Sequence, residues 1–199
     1  MLRVCVTVGN ERTAPPFDLE VPAEIPAMQL ERLIAHGLGW DVDVNGLRLR
    51  HSIFADPPGR VLAREETLAD ARVWDGSTLK FETFVSAWFA APSGRCYPLH
   101  RSEVVIGRGG PAQEDDERIN LVDEEGSKTV SHQHALVVFT KGQWQLAHLS
   151  EINDTVLNGH TLDSDDRLTL NTGDRVELAA VTLTFHVGDP PGEPLLQLP

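Results

Sequence analysis

Residues 129–139, TVSHQHALVVF, set Ser131, His132 and His134 within four positions of one another, just ahead of an apolar run. Three chemistries use these residue types. Ser131 and His134 would serve as nucleophile and base, His132 and His134 as metal ligands, or Ser131 as a hydrogen-bond donor in a loop that receives an anion. A nucleophile needs a base within hydrogen-bond reach, an orienting acid and an oxyanion hole. Nothing resembling G-x-S-x-G surrounds Ser131, and positions 131 and 134 of an extended strand point to opposite faces. A structural metal site takes four ligands, and no cysteine or carboxylate stands at ligand spacing with the two histidines. The anion reading finds more support. Arg108 follows Gly107 at the end of the apolar run VVIGR, where a guanidinium offers several donors in a fixed fork, each about twice as strong toward an anion as a neutral donor. Lys128 is a candidate second cation, and loop N–H groups add further donors. On this reading the chain has no catalytic residue, metal or cofactor.

The bulk properties narrow the partners. With 17 basic and 30 acidic residues the net charge is −13, which disfavours nucleic acid and anionic membranes as partners. The excess is spread over both halves: 9 basic and 13 acidic residues up to Phe84, then 8 and 17 after it. No apolar run approaches the roughly 18–20 residues of a membrane-spanning helix, so no membrane insertion is expected. The opening MLRVCVTVGN alternates like a strand and has no apolar signal core. Cys5 and Cys96 form no motif. A reduced, cytoplasmic protein is expected.

Two domains must position these residues. Over 1–84 the pattern is strand, strand, helix, strand, strand. LRVCVTV alternates, with Leu2, Val4, Val6 and Val8 on one face; Met28, Leu30, Leu33 and Ile34 recur at helical spacing after Pro26; NGLRLRHS alternates again with Leu47 and Leu49 inward. Within this segment GRVLAREETLADARVWDGSTLKFE resembles the closing third of ubiquitin-like domains, where a TL-x-D turn precedes a final strand of STL-x-hydrophobic type. The resemblance implies an α+β β-grasp. The chain runs on through FVSAWFAAP with no Gly-Gly terminus, which argues against conjugation, and Arg48, Lys80 and Glu82 stand where ubiquitin carries its aliphatic recognition patch. The domain is therefore expected to contact a second protein in another way.

From residue 85 short alternating runs are separated by turn signals every eight to twelve residues, the texture of an all-β sandwich. The sandwich is expected over 85–188, with a Pro-rich tail over 189–199. KFETFVSAWFA reads as almost continuous strand, a junction without a flexible linker. Trp40, Trp74, Trp88 and Trp144 are expected to anchor the cores.

Four fragments of the sandwich stand in order: VVIGR (104–108), VSHQHA (130–135), INDTVLNG (152–159) and LNTGDRVEL (170–178). Together they resemble the forkhead-associated (FHA) domain, the phosphothreonine-binding sandwich. The resemblance implies that Arg108, Ser131 and Asn153 touch a phosphothreonine peptide, Asn153 gripping the backbone beside the phosphoresidue, with Lys128 and His132 as neighbours. Gly107, His134, Asn158 and Gly159 fall at positions that support the loops. The chain departs from the family where Ile152 replaces a hydroxyl residue and Asp154 a glycine. The run EDDERINLVDEE holds seven acids in twelve positions; it is either a solvated loop or a device that disfavours acidic flanks and prefers basic ones. Two readings follow. One is a non-catalytic adaptor that binds a threonine-phosphorylated partner. The other is a docking scaffold that keeps the sandwich without phosphate affinity, in an assembly like bacterial type VII secretion, whose components include both kinds of module.

Overall fold

The computed structural model describes residues 2–10, 13–43, 46–109 and 118–192. The chain divides into two compact units, 1–84 and 85–199.

In the first unit β1 (Arg3–Asn10) and β2 (Thr13–Pro22) form an antiparallel hairpin, followed by α1 (Ala27–Gly37), β3 (Leu49–Asp56), β4 (Arg60–Val61) and β5 (Thr78–Val85). The sheet order is β2-β1-β5-β3-β4. β1 and β5 run parallel at its centre, with Val8 opposite Leu79 and Asn10 opposite Phe81. A parallel pair cannot close through a tight turn, and here the connection carries α1. The helix buries Ala27, Leu30, Glu31, Ile34 and Ala35, the spacing of one helical face, against Val4, Val6, Val8, Leu79 and Phe81 of the sheet. This is the α+β β-grasp that the element order predicts.

Several side chains depart from the expected pattern. Leu47 is 42% exposed because β3 begins only at Leu49, so the alternation does not reach back to it. Leu2 and Leu33 are exposed as well; Leu2 precedes β1, and Leu33 lies off the helix face that packs. Trp74 is 57% exposed rather than in the core. It sits in the turn before β5, where Ser77 N–H donates to its carbonyl (3.0 Å), and the smaller Val73 takes the inward position. Trp40 packs on the core edge, its ring 5.6 Å from that of Phe81.

The second unit is a sandwich of two sheets. One, with order β14-β11-β10-β8-β9, comprises β8 (Glu103–Gly107), β9 (Arg118–Asn120), β10 (Ala135–Thr140), β11 (Gln143–His148) and β14 (Arg167–Thr169). The other, with order β13-β12-β15-β16-β6-β7, comprises β6 (Ala87–Ala90), β7 (Cys96–Pro98), β12 (Thr155–Leu157), β13 (His160–Thr161), β15 (Arg175–Leu178) and β16 (Val181–Val187). Alternate residues of each strand point inward: Val104 and Ile106, Ala135 and Val137, Trp144 and Leu146 from the first sheet, and Phe89, Val176, Leu178, Leu183 and Phe185 from the second. The Phe89 and Phe185 rings meet edge to face at 5.2 Å. Trp144 is buried as expected, and its indole N–H donates to Val85 O (2.9 Å). Trp88 is only half-buried and stacks on His186 across the β6–β16 pair at 4.4 Å. At the end of the sandwich Ser86 Oγ donates to Asp189 (2.8 Å), so the first residue of the expected tail is held. Residues 193–199 lie outside the described residues. Among the described residues no helix is long and apolar enough to cross a membrane.

The buried aromatic residues set a test of this packing. Phe81→Ala is expected to destabilise the first unit by about 3–5 kcal/mol, the range for deleting a buried aromatic side chain, whereas Trp74→Ala is expected to stay within about 0.5 kcal/mol. Chemical denaturation of the two variants checks both figures.

Candidate functional site

The loops that follow β8 and precede β10 are joined through backbone. β8 ends at Gly107, and the next N–H, that of Arg108, donates to Ser131 O (2.9 Å). A Cβ on Gly107 would run into the carbonyl groups of Ser131 and His132, so only glycine lets the two loops approach this closely. Gly109 turns the chain with φ +71°, and its carbonyl accepts from His132 Nδ1–H. With that proton placed, His132 Nε2 is an acceptor, and Arg108 Nη2 donates to it (3.3 Å). Arg108 Nε is buried without a partner, and no carboxylate among the described residues pairs with this guanidinium.

His134 holds the second loop. It is fully buried; its Nδ1 accepts from Ser131 N–H (3.1 Å) and its Nε2–H donates to Asp154 O (3.1 Å). Both ring nitrogens are therefore used inside the fold, and His134 bonds the backbone of Ser131 rather than its hydroxyl. This geometry offers neither the base of a Ser–His pair nor a metal ligand. Burial pushes the His134 pKa below its ordinary 6.5, assisted by the nearby His148 and opposed by the Asp154 carbonyl. The neutral ring is the folded form.

Ser150 is the residue that sequence reasoning missed. It is buried, and its Oγ accepts from Ile152 N–H (3.3 Å) and Asn153 N–H (3.2 Å) while lying 2.7 Å from Ser131 Oγ. A hydroxyl has two acceptor sites and one proton. With both acceptor sites occupied, Ser150 donates to Ser131, which leaves the Ser131 proton for another acceptor. The expected hydroxyl before Asn153 is thus present two residues earlier than Ile152. Its signal was a serine within the loop, set two positions out of register with Ile152. Ile152 itself is 84% exposed.

Asn153 Nδ2 donates to Thr129 O (2.7 Å) and so ties its loop to the 3-10 turn Ser127–Thr129. Lys128 stands exposed on that turn. Asp154, in the place of a glycine, has no left-handed backbone and so costs no conformational strain; its side chain is exposed. The structure brings together Gly107, Arg108, Ser131, His132, His134 and Asn153. Asn158 and Gly159 lie apart from them, in the two-residue turn between β12 and β13 with φ +52° and +83°. There Asn158 Nδ2 donates to Asp174 (2.8 Å) and Arg175 N–H donates to Asn158 Oδ1 (2.9 Å), bracing the turn before β15.

Two outcomes test this construction. Gly107→Ala is expected to separate the Arg108 and Ser131 loops, seen as loss of slow hydrogen exchange at the Arg108 amide. For His134 the sign follows from its lowered pKa: below about 6.5 the unfolded chain takes up a proton that the folded chain refuses, so stability falls as pH falls. Denaturation midpoints at pH 7.5 and 5.5 are expected to differ more for the native chain than for His134→Gln; parallel shifts would mean that His134 does not set the slope.

Residues 104–179 match the family model described as FHA domain, and residues 2–80 match the model described as WXG100 protein secretion system (Wss), protein YukD. No curated protein matches the chain. Among solved structures, Mycobacterium tuberculosis EmbR in complex with a low affinity phosphopeptide is 25% identical at a TM-score of 0.43, over 54% of this chain and 26% of the EmbR chain. An FHA domain of an Arabidopsis thaliana hypothetical protein is 20% identical at 0.43, over 55% of this chain and 91% of that one. The N-terminal FHA domain from S. cerevisiae RAD53P, in complex with a phosphothreonine peptide, is 17% identical at 0.41, over 52% and 94%. The β-grasp of the first unit and the ordered Gly-Arg, Ser-x-x-His and Asn-containing loops of the second thus belong to a YukD-type ubiquitin-like domain followed by an FHA domain.

Proposed function

We propose that this chain is a non-catalytic adaptor of the cytoplasm whose FHA domain binds a threonine-phosphorylated segment of a partner protein and whose ubiquitin-like domain contacts a second protein. The observation that carries this reading is the Arg108–Ser131 pair. Their loops share a backbone bond, the guanidinium is free of any carboxylate among the described residues, and Ser150 leaves the Ser131 proton to be donated outward. A phosphothreonine presents about −1.5 to −2 charges and three acceptor oxygens, which such donors suit. Asn153, with one amide N–H committed to Thr129 O, has its side-chain oxygen to offer the backbone of the bound segment. His132, which accepts from Arg108, is a neighbour of the phosphate in this reading, and Lys128 supplies further positive charge.

A second reading also has an observation behind it. The loop that carries Asn153 exposes Ile152 and the charge of Asp154, and neither favours an anion. In this reading the sandwich is a docking scaffold without phosphate affinity. The match of residues 2–80 to a secretion-system model supports membership of a type VII-like secretion assembly under either reading.

Titration of the full chain with a panel of threonine-phosphorylated peptides separates the two. Charge-assisted hydrogen bonds contribute about 1.5–3 kcal/mol each, so Arg108→Ala is expected to weaken binding by about 10- to 100-fold. Ser131→Ala and Ser150→Ala are expected to weaken it by about 3- to 10-fold, each removing or misdirecting one neutral donor. If the native chain and Arg108→Ala bind every peptide equally poorly, the scaffold reading replaces the phosphothreonine one.

A further inference from the structure

A cavity of about 580 Å³ opens beside the candidate site, lined by Pro92, Gly126, Ala180 and Val181, by the hydroxyl residues Ser93 and Thr182, and by Glu124 and Glu125. Thr129 links it to the phosphopeptide loops. The Thr129 carbonyl accepts from Asn153, its hydroxyl donates to Gly126 O (2.8 Å) and it accepts from Ala180 N–H (3.2 Å). One residue thus separates the Asn153 side chain from two walls of the cavity.

Glu124 is the informative group. Its residue is only 6% exposed, and Oε1 accepts from both Tyr97 OH (2.5 Å) and Ser93 Oγ–H (2.9 Å). Oε2 has no partner among the described residues. Burial, and then the bond to Glu124, push the Tyr97 phenol up to about 12, so it stays a donor at any physiological pH. Both donors to Glu124 are neutral. Arg95, two residues beyond Ser93, is paired with Asp123 (2.9 Å) and bears on the Tyr97 hydroxyl, but it makes no bond to Glu124 and does not line the cavity. A buried carboxylate is costly without a cation and is relieved by one. The cavity is far larger than a metal ion, and among the described residues no group of three His, Cys, Asp or Glu side chains converges to hold one. Its apolar walls suit the methylene stem of a long basic side chain, and its depth and rim each supply a negative charge.

We propose that this cavity receives an arginine or lysine side chain of the partner protein, flanking the phosphothreonine, with Glu124 at its depth and Glu125 at its rim. The proposal rests on the phosphothreonine reading for its partner but on Glu124, Glu125 and the cavity for its chemistry. It places the work of the acidic run at residues 124 and 125; residues 114–117 of that run lie outside the described residues. A basic flank also complements the net charge of −13, which steers cationic segments toward the chain.

Two measurements on the full chain test it. The first uses ¹⁵N-labelled protein and a capped single arginine, N-acetyl-arginine methylamide, with the alanine analogue as control. Saturating shifts of the Gly126 and Ala180 amides are expected with the arginine probe only, reduced several-fold in Glu125→Gln and lost in the double variant Glu124→Gln/Glu125→Gln. Absence of shifts, or equal shifts with the alanine analogue, overturns the proposal whatever phosphopeptides do. The second compares phosphothreonine peptides carrying arginine, alanine or glutamate at each flanking position in turn. At one position arginine is expected to bind about 10-fold tighter than glutamate, a ratio that falls toward one in the double variant. Phosphopeptides that bind with no such preference overturn the proposal. If no phosphopeptide binds while the arginine probe still does, the phosphothreonine reading fails and the cationic pocket stands without it.

Discussion

The hydrogen bond from Arg108 N–H to Ser131 O, made possible by the missing side chain of Gly107, sets the geometry of everything near the candidate site. It joins the end of β8 to the loop before β10, and those two segments carry the guanidinium and the hydroxyl. A side chain at 107 would separate them, and no rearrangement of Arg108 alone would restore the juxtaposition. The bond also brings His132 to Gly109 and to the guanidinium, so that among the described residues the Arg108 fork is oriented by an imidazole rather than paired with an acid.

A second layer holds this arrangement from beneath. His134 spans from the Ser131 amide to the Asp154 carbonyl, and Ser150 spans from the Ser131 hydroxyl to the amides of residues 152 and 153. Buried polar groups of this kind are stable only when satisfied, and His134 meets that condition by remaining neutral. The two residues converge on Ser131 from opposite functional groups, one fixing its backbone and the other directing its proton. Thr129 extends the same network outward, through Asn153 on one side and Gly126 and Ala180 on the other, and so ties the loop of Asn153 to two residues that line the Glu124 cavity. Positive and negative recognition chemistry would then lie side by side on one domain, matching a segment that carries a phosphate and a basic residue together.

Much of this was legible in the sequence because the signals are local. The helix stripe through Leu30 and Ile34, the period-two strands and the Gly and Asn turns are determined by backbone sterics and by which face of an element is apolar. The order of Gly107-Arg108, Ser131-x-x-His134 and the Asn153 loop was enough to resemble the FHA family, and with it a sandwich. Residue types along the chain likewise determined the acidic surface and argued against a nucleophilic serine. What tertiary structure alone decided is pairing across distant loops. That Ser150 rather than a residue beside Asn153 supplies the hydroxyl, that Asp154 needs no left-handed backbone, that Trp74 yields the inward position to Val73, and that Glu124 is buried against Tyr97 and Ser93 in the lining of a cavity are decided by the folded chain and not by residue type. A linear pattern specifies which groups are present, but the direction of a hydroxyl proton or a carboxylate lone pair is set by the neighbours that folding delivers.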